Sequence, residues 1–446
     1  MRIKLAFPLT LSEIAEAIRA ELNVESREIT HISTDSRICE PGDLFFALRG
    51  EKIDASTFLK DAKNAGAYTV GGSGDLTTCD SVHALLMLAS YYKKKLSNIK
   101  RTIAITGSVG KSTTKEILAS ILSDQYKVHK THENFNNILG VSYTLLSAPL
   151  DCEILILELG MNHKGEIAEL SEAVCPDIGV ITNIGTSHIG NLGSRKSIAL
   201  AKLEIKSGLR GDLIIPDDEP LLENEIAYRF SLRSTSAYLC VKQSEKDPQN
   251  YNVYKNGVLC PYTLKIDADH IACNTSAAFT AAELCNFTPR NEYDFTVKFS
   301  NNTRQTILKT HNFDILCDFY NASLESFISG FRYAVSLNYE HKSALIGDVL
   351  ELGEYSASIH YEIGKSAAEY GFEKLYIFGD LADCVKAGAI SAGFSSDKIY
   401  INRDTQSPEE TARQILSTYT RGELIYAKAS HKLDLGRITD LLKEQK

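Results

Sequence analysis

Residues 102 to 116, Thr-Ile-Ala-Ile-Thr-Gly-Ser-Val-Gly-Lys-Ser-Thr-Thr-Lys-Glu, constrain the fold of this chain more than any other stretch. The β-branched run from Thr102 to Ile105 reads as a buried strand that breaks at Gly107, and from Lys111 onward Ile117, Leu118, Ile121 and Leu122 recur at helical spacing. A strand, a glycine turn and a helix in that order aim backbone N–H groups and a helix N-terminus at an anion. The loop of Gly107, Ser108, Val109, Gly110, Lys111, Ser112 and Thr113 is therefore expected to hold a polyphosphate. Lys111 would reach the terminal phosphates and the Ser112 hydroxyl would ligate Mg²⁺. Ile105 stands where the general phosphate-loop pattern has its outer glycine, leaving the shorter Gly107-x-x-Gly110-Lys111-Ser112. The plain alternative is a glycine turn with a solvated lysine. Its place between strand and helix favours the phosphate site, and with it ATP or GTP.

The chain has 446 residues, enough for about three domains at roughly 150 residues each. With 48 Lys and Arg against 57 Asp and Glu, its formal net charge is −9, so no basic surplus exists to neutralise nucleic-acid phosphates. The 10 cysteines are scattered without a C-x-x-C pair, as expected of small thiols in a reducing compartment and not of disulfides or a zinc site. The start, Met1-Arg-Ile-Lys-Leu-Ala-Phe-Pro, is too short in apolar residues for a signal peptide, and no run approaches the length of a membrane span. A cytoplasmic, monomeric protein without membrane insertion is the expectation.

A capping box at Thr10 and Glu13 predicts a first helix with Ile14, Ile18 and Leu22 on its buried face. A strand at Leu44 to Leu48 follows, then helical stretches from Ser56 to Ala65 and from about Ser81 to Leu96. The charged exit around Lys93 to Lys95 and Lys100-Arg101 marks a boundary near residue 98. Beyond it strands and helices alternate, implying a parallel sheet. Cys152 to Leu157 is an apolar strand ending in Glu158, and Asp177 to Ile181 is another. Strand-like pieces at 213–215, 237–241, 258–259 and 262–266 surround a helix from Asn274 to Leu284, with Ser244 to Tyr251 read as a loop. From about residue 305 strands at 315–317, 344–346, 374–378, 399–401 and 424–427 alternate with helices, which predicts a further α/β domain.

Ligands of open α/β sheets gather at the carboxyl ends of the strands, which puts Glu158 and the loop from Thr182 to His188 beside the phosphate loop. Glu158 is a hard oxygen ligand of the kind Mg²⁺ takes, against a helix cap or ion pair. His188 lies in a glycine-rich loop, where a lone histidine is more often structural than a ligand. Lys202 sits on the apolar face of a helix, where a lysine ordinarily snorkels. The run Thr131-His-Glu-Asn-Phe-Asn-Asn-Ile-Leu-Gly140 has three asparagines in four positions, suited either to hydrogen-bonding a peptide-like or sugar ligand or to local turns. Composition leaves both open.

Taken together these stretches resemble the Mur ligases, over almost the whole chain. The resemblance is carried by Leu157-Glu-Leu-Gly-Met-Asn162 with Gly165-Glu-Ile167, Ile181-Thr-Asn-Ile-Gly-Thr-Ser-His188, Gly193-Ser194 and Ala201-Lys202-x-Glu204-Ile205. Thr106-Gly-Ser-x-Gly-Lys-Ser-Thr is the ligase form of the phosphate loop, and Asp35-Ser-Arg37 with Pro41-Gly-Asp-Leu-Phe-Phe-Ala-Leu48 resembles the family's uridine-nucleotide domain. The asparagine run and Gly347-Asp-Val-Leu-Glu-Leu-Gly353 with His360 are similar to the members that add D-alanyl-D-alanine to UDP-N-acetylmuramoyl-tripeptide. The chain departs from the family in four places: Tyr320-Asn-Ala-Ser-Leu-Glu-Ser326 for Y-N-A-N-P-D-S, Lys428-Ala-Ser-His431 for K-G-S-R, Ser56 for the usual histidine after Asp54, and Asp269-His270 where a glycine-arginine lead precedes the adenine helix.

The resemblance implies an α/β protein of three domains: a small uridine-nucleotide domain over 1–97, a central P-loop-type parallel-sheet ATPase domain over 98–304, and a C-terminal Rossmann-like domain over 305–446 that closes over ATP and binds the incoming dipeptide. It implies Ser112 and Glu158 as ligands of one Mg²⁺, His188 as ligand of a second, and Lys202 as a carbamylated lysine beside them. Lys111, Lys202, His188 and Glu158 would carry catalysis. Asn274, Arg304, Asp318 and Asn321 would contact ATP, and Ser36, Arg37, Asn134, Asn136, Asn137 and Asp348 the substrates. The implied reaction is ATP-dependent amide formation through an acyl phosphate, with UDP-N-acetylmuramoyl-tripeptide and D-Ala-D-Ala as partners and no nucleic acid. The alternatives are the sister ligase adding the third amino acid, folylpolyglutamate synthase, an inactive relative serving as a binding protein, and a GTPase, for which no N-K-x-D motif occurs.

Overall fold

The capping box at Thr10 forms. Its hydroxyl accepts the Glu13 amide at 3.2 Å while the Glu13 carboxylate accepts the Thr10 amide at 2.8 Å, starting the helix Leu11–Ile18. Ile14 and Ile18 are buried, but Leu22 is not on this helix: Arg19 takes a left-handed φ of 54° and ends it, and Leu22 belongs to the strand Glu21–Leu22. The computed structural model describes residues 1–50, 54–247, 250–296 and 305–443. The chain divides into two units, Met1–Asn183 with Leu200–Phe295, and Ile184–Ala199 with Thr296–Lys446. The segment Ile184–Ala199, within the stretch expected to form the central domain, thus groups with the second unit.

The first unit carries two sheets. One is six-stranded, in the order Arg2–Thr10, Glu28–Ser33, Leu44–Phe46, Tyr68–Gly71, Leu76–Thr77, Glu21–Leu22. Its edge strand Arg2–Thr10 is not apparent in the sequence because Pro8 interrupts the run. Pro8 falls in the register shift between Lys4 and Leu9, where an edge strand tolerates proline.

The other sheet is ten-stranded. Arg101–Thr106 lies between Ile154–Glu158 and Ile178–Ile181, parallel to both, and the parallel set continues outward through Asp212–Pro216, Tyr228–Ser231 and Leu239–Gln243. Chain order runs from the strand of the glycine loop to one side and then to the other, which makes its carboxyl end a switch point where open sheets bind ligands. Ile103, Ile105, Ile117, Leu118, Ile121 and Leu122 are all fully buried in the core beneath it. The region 244–251 is only partly loop. Asn250–Lys255 is a strand with Tyr251 and Val253 inward, a period of two hidden among polar residues. The two pieces expected around 258–266 form one strand, Val258–Lys265, with Pro261 at a register shift.

The second unit holds a six-stranded sheet in the order Thr306–Lys309, Asp314–Cys317, Leu424–Lys428, Lys342–Gly347, Lys374–Phe378, Ile399–Asn402, parallel except for its first pair. Its helices Ser356–Glu369 and Ala382–Ser391 pack backbone to backbone. A Cβ on Gly364 would lie 1.9 Å from the Val385 carbonyl oxygen, and one on Gly388 equally close to that of Tyr361. Among the described residues no cysteine is in a disulfide and no helix is long and apolar enough to cross a membrane. A Gly388→Val variant is expected to lose ~1–3 kcal/mol through overpacking, read as an earlier thermal unfolding transition; an unchanged midpoint would contradict this close packing.

Candidate active site

Two glycines shape the loop after Arg101–Thr106. Gly107 has φ +150°, and a Cβ there would lie 1.8 Å from Thr182 Oγ1. Gly110 has φ +84°, and its Cβ would lie 2.3 Å from Asn274 Oδ1. Neither position accepts a side chain, so the loop packs tightly against Thr182 and Asn274 where the helix Lys111–Leu122 begins, a helix N-terminus of the kind that attracts an anion. Lys111 folds back over this loop, its ammonium donating to Gly107 O at 2.7 Å and Ser108 O at 3.4 Å. Asn183, which sequence reading did not single out, braces it. Its Oδ1 accepts the amides of Ser108 and Val109, each at 3.0 Å. A lone asparagine after a buried strand gave no signal of that long-range contact.

Glu158 ends the neighbouring strand and is buried. One carboxylate oxygen accepts from Ser112 Oγ at 2.8 Å and the other from Asn136 Nδ2 at 2.8 Å. Its own amide donates to Thr131 Oγ1 at 2.9 Å. Lys115, also absent from the sequence reading, is buried one turn beyond Lys111 and reaches within 4.0 Å of the same carboxylate.

The asparagine run resolves into three different roles. Asn137 caps the helix Ile138–Leu146 by accepting the Gly140 amide at 2.9 Å, Asn136 orients Glu158, and Asn134 is exposed with no side-chain hydrogen bond among the described residues. Of the three, Asn134 is the one left open to a ligand. Tyr143 Oη meets Thr34 Oγ1 at 3.0 Å, which brings the helix after the run against the turn holding Ser36 and Arg37. The Arg37 guanidinium is exposed and pairs with Asp35 at 2.7 Å, which holds the Asp35 carboxyl at about 2.

Lys202 is buried, near the end of the helix Arg195–Leu203. Burial holds its amine well below the ordinary lysine range, and the positive charge of Lys111 pushes the same way. A snorkelling lysine would keep its head in water; this one does not. Asn274 lies in the second turn of a helix that starts at Asp269, not at the helix start expected for it, and faces Gly110.

The remaining expected residues belong to the second unit. His188 has φ 62° and its Nδ1 lies 2.9 Å from a carboxylate oxygen of Glu351. Asp318 is buried and accepts from Tyr426 Oη at 2.8 Å and Lys428 Nζ at 2.9 Å. Asn321 uses its side chain to accept the Ala322 amide at 2.8 Å. Asp348 accepts the amides of Asp380 at 2.8 Å and Leu381 at 3.2 Å, and burial pushes its carboxyl up. His360, 3.6 Å away, is no ion-pair partner to it: its Nε2 accepts the Val349 amide, its Nδ1 faces the Ser356 carbonyl, and burial lowers its pKa. Arg304 lies outside the described residues.

Among the described residues no group of three or more His, Cys, Asp or Glu is arranged to hold a metal. Mg²⁺ does not require one, since it binds through one or two protein oxygens and completes its shell with water and phosphate. Octahedral ligands at about 2.0–2.1 Å sit roughly 2.9 Å apart, and the Ser112 and Glu158 oxygens, 2.8 Å apart, match that spacing. The pair fits the ion.

Residues 105–282 match the family model described as the Mur ligase middle domain, and residues 28–126 match that of the Mur ligase family catalytic domain. The chain is 33% identical over 450 residues to the UDP-N-acetylmuramoyl-tripeptide–D-alanyl-D-alanine ligase of Bacillus subtilis, covering 96% of this chain and 97% of that one. MurF from Acinetobacter baumannii superposes with a TM-score of 0.86 at 25% identity, covering 99% of this chain and 100% of that chain. MurF ligase from Thermotoga maritima in complex with ADP shares the fold at 24% identity, with a TM-score of 0.81 and coverage of 93% and 97%.

A Gly110→Ala variant must move Asn274 and hold a left-handed alanine. It is expected to weaken binding of a fluorescent ATP analogue at least tenfold in titration, and binding at the native affinity would rule out this loop as the phosphate site.

Proposed function

Because the chain belongs to the Mur ligase family, we infer that it joins D-alanyl-D-alanine to UDP-N-acetylmuramoyl-tripeptide, as an ATP-dependent ligase of the MurF type in peptidoglycan synthesis. The single observation that carries this reading is Glu158, whose carboxylate is bonded on one side to Ser112 of the phosphate loop and on the other to Asn136 of the asparagine run. One buried side chain thereby joins the nucleotide side of the site to the acceptor side.

In this reading the terminal carboxylate of the UDP-linked peptide attacks the γ-phosphoryl group of ATP and leaves as an acyl phosphate with release of ADP. The amine of D-Ala-D-Ala then displaces phosphate to form the amide. Lys111, now folded on its own loop, turns outward to the β- and γ-phosphates. Mg²⁺, when bound through Ser112 and Glu158, supplies positive charge against the charge spreading over the transferred oxygens. His188 is assigned to a second ion. The buried amine of Lys202, held neutral by its surroundings, is suited to carbamylation, which replaces a costly buried cation with an anion. Ser36, Arg37 and Asn134 are assigned to the UDP-sugar substrate, Asn274, Arg304, Asp318 and Asn321 to ATP, and Asp348 to the incoming dipeptide.

Three functional domains over 1–97, 98–304 and 305–446 are assigned, the last taking the dipeptide and excluding water from the acyl phosphate. A cytoplasmic monomer is the working assignment.

Incubation of the protein with ATP, D-Ala-D-Ala and UDP-tripeptides ending in lysine or diaminopimelate, read by product mass spectrometry, tests the reaction; no pentapeptide from either would refute it. Lys111→Ala is expected to abolish turnover while UDP-tripeptide binding stays measurable by calorimetry. Loss of both would mean that the substrate domain does not bind independently. Lys202→Ala should be nearly inactive and recover part of its rate with an added short-chain carboxylic acid. A fully active variant would remove Lys202 from the mechanism.

A further inference from the structure

Lys115 is a buried cation to which no role has been assigned, on the helix that begins at the phosphate loop. Its side chain is 1% exposed. Its ammonium donates to the Thr131 carbonyl at 2.7 Å and the Glu133 carbonyl at 3.0 Å, and lies 3.4 Å from Glu116 and 4.0 Å from Glu158. The two carbonyls face inward because the backbone turns sharply there, with Glu133 in the left-handed region at φ 44°. That turn leads directly into Asn134 and Asn136.

A methionine of similar length would fill the same space without desolvating a charge, and apolar replacements of buried ions are often neutral or stabilising. Packing alone therefore does not explain a lysine. What the ammonium adds is a fixed point between two functional groups. Thr131 is held through its carbonyl by Lys115 and through its hydroxyl by the Glu158 amide. Asn136, five residues past the Lys115-bound Thr131, donates to Glu158 while its carbonyl accepts the Gly160 amide at 2.8 Å.

We propose that Lys115 is a positioning residue, whose ammonium sets the strained 131–136 segment so that Asn134 faces the UDP-sugar peptide and Asn136 holds the Glu158 carboxylate against Ser112. The assignment rests on the ligase reading above. Lys115 touches neither nucleotide nor acceptor; it acts through the asparagine segment.

The test is calorimetric titration of the full chain with UDP-N-acetylmuramoyl-tripeptide and, separately, with UDP, both without ATP or Mg²⁺. Wild type is compared with Lys115→Met and with Lys115→Gln, which keeps two N–H donors and guards against a methionine variant that does not fold. The folded variants are expected to bind UDP as wild type does but the tripeptide at least tenfold more weakly, with glutamine less affected than methionine. In turnover the tripeptide KM should rise while the KM for D-Ala-D-Ala stays within twofold. A folded variant that binds the tripeptide within twofold of wild type overturns the proposal. Wild-type protein that binds UDP but not the tripeptide overturns both the proposal and the reading beneath it.

Discussion

A single buried carboxylate organises the first unit. Glu158 pairs in register with Ile105, so its side chain emerges from the sheet beside the glycine loop that follows Thr106. Each oxygen has one donor, from Ser112 on the helix and from Asn136 on the loop opposite. A buried carboxylate lacking such donors would carry a desolvation penalty of several kcal/mol. The arrangement therefore resists loosening of either neighbour, and it keeps two hard oxygens at the spacing of adjacent Mg²⁺ ligands.

Lys111 and Lys115 extend from one helix, and Lys202 is close enough to Lys111 for that charge to depress its protonation. Lys115 is offset by the carboxylates of Glu116 and Glu158, which leaves the ammonium of Lys111 as the charge suited to a triphosphate. Burial, with the charge of Lys111 acting in the same direction, holds the Lys202 amine well below the ordinary lysine range.

Much of this site is legible in sequence because its parts are local. The glycines at 107 and 110, the lysine and serine after them and the glutamate closing an apolar strand each sit in a short pattern with its own mechanism. What is not legible depends on distant contacts. Asn136 and Asn137 are neighbours of identical type, yet one orients Glu158 and the other caps a helix, and only their surroundings separate them. Asn183 and Lys115 escape notice because bracing a loop 70 or so residues away, or pinning a segment 16 residues on, leaves no periodic trace. The strands Arg2–Thr10 and Asn250–Lys255 are hidden for a different reason: proline and asparagine interrupt the pattern at positions where an edge or a register shift tolerates them.

The second unit shows how departures from a family pattern are absorbed. Where related sequences have an asparagine–proline step, Ser323 caps the helix Leu324–Ser336, and the Ser326 hydroxyl accepts the Ser323 amide at 2.8 Å. The helix start is preserved by different chemistry. Where a glycine is usual after the closing lysine, Ala429 is fully buried, and Ser430 beyond it accepts the Leu350 amide at 2.9 Å. His431, in the place of an arginine, packs edge-on to Tyr320. Throughout, Lys428 still reaches Asp318 at 2.9 Å, with Tyr426 completing the carboxylate. Removing one partner of such a buried pair costs about 3–5 kcal/mol, far more than either cap is worth. The pair is the feature that the substitutions had to leave standing, and it stands.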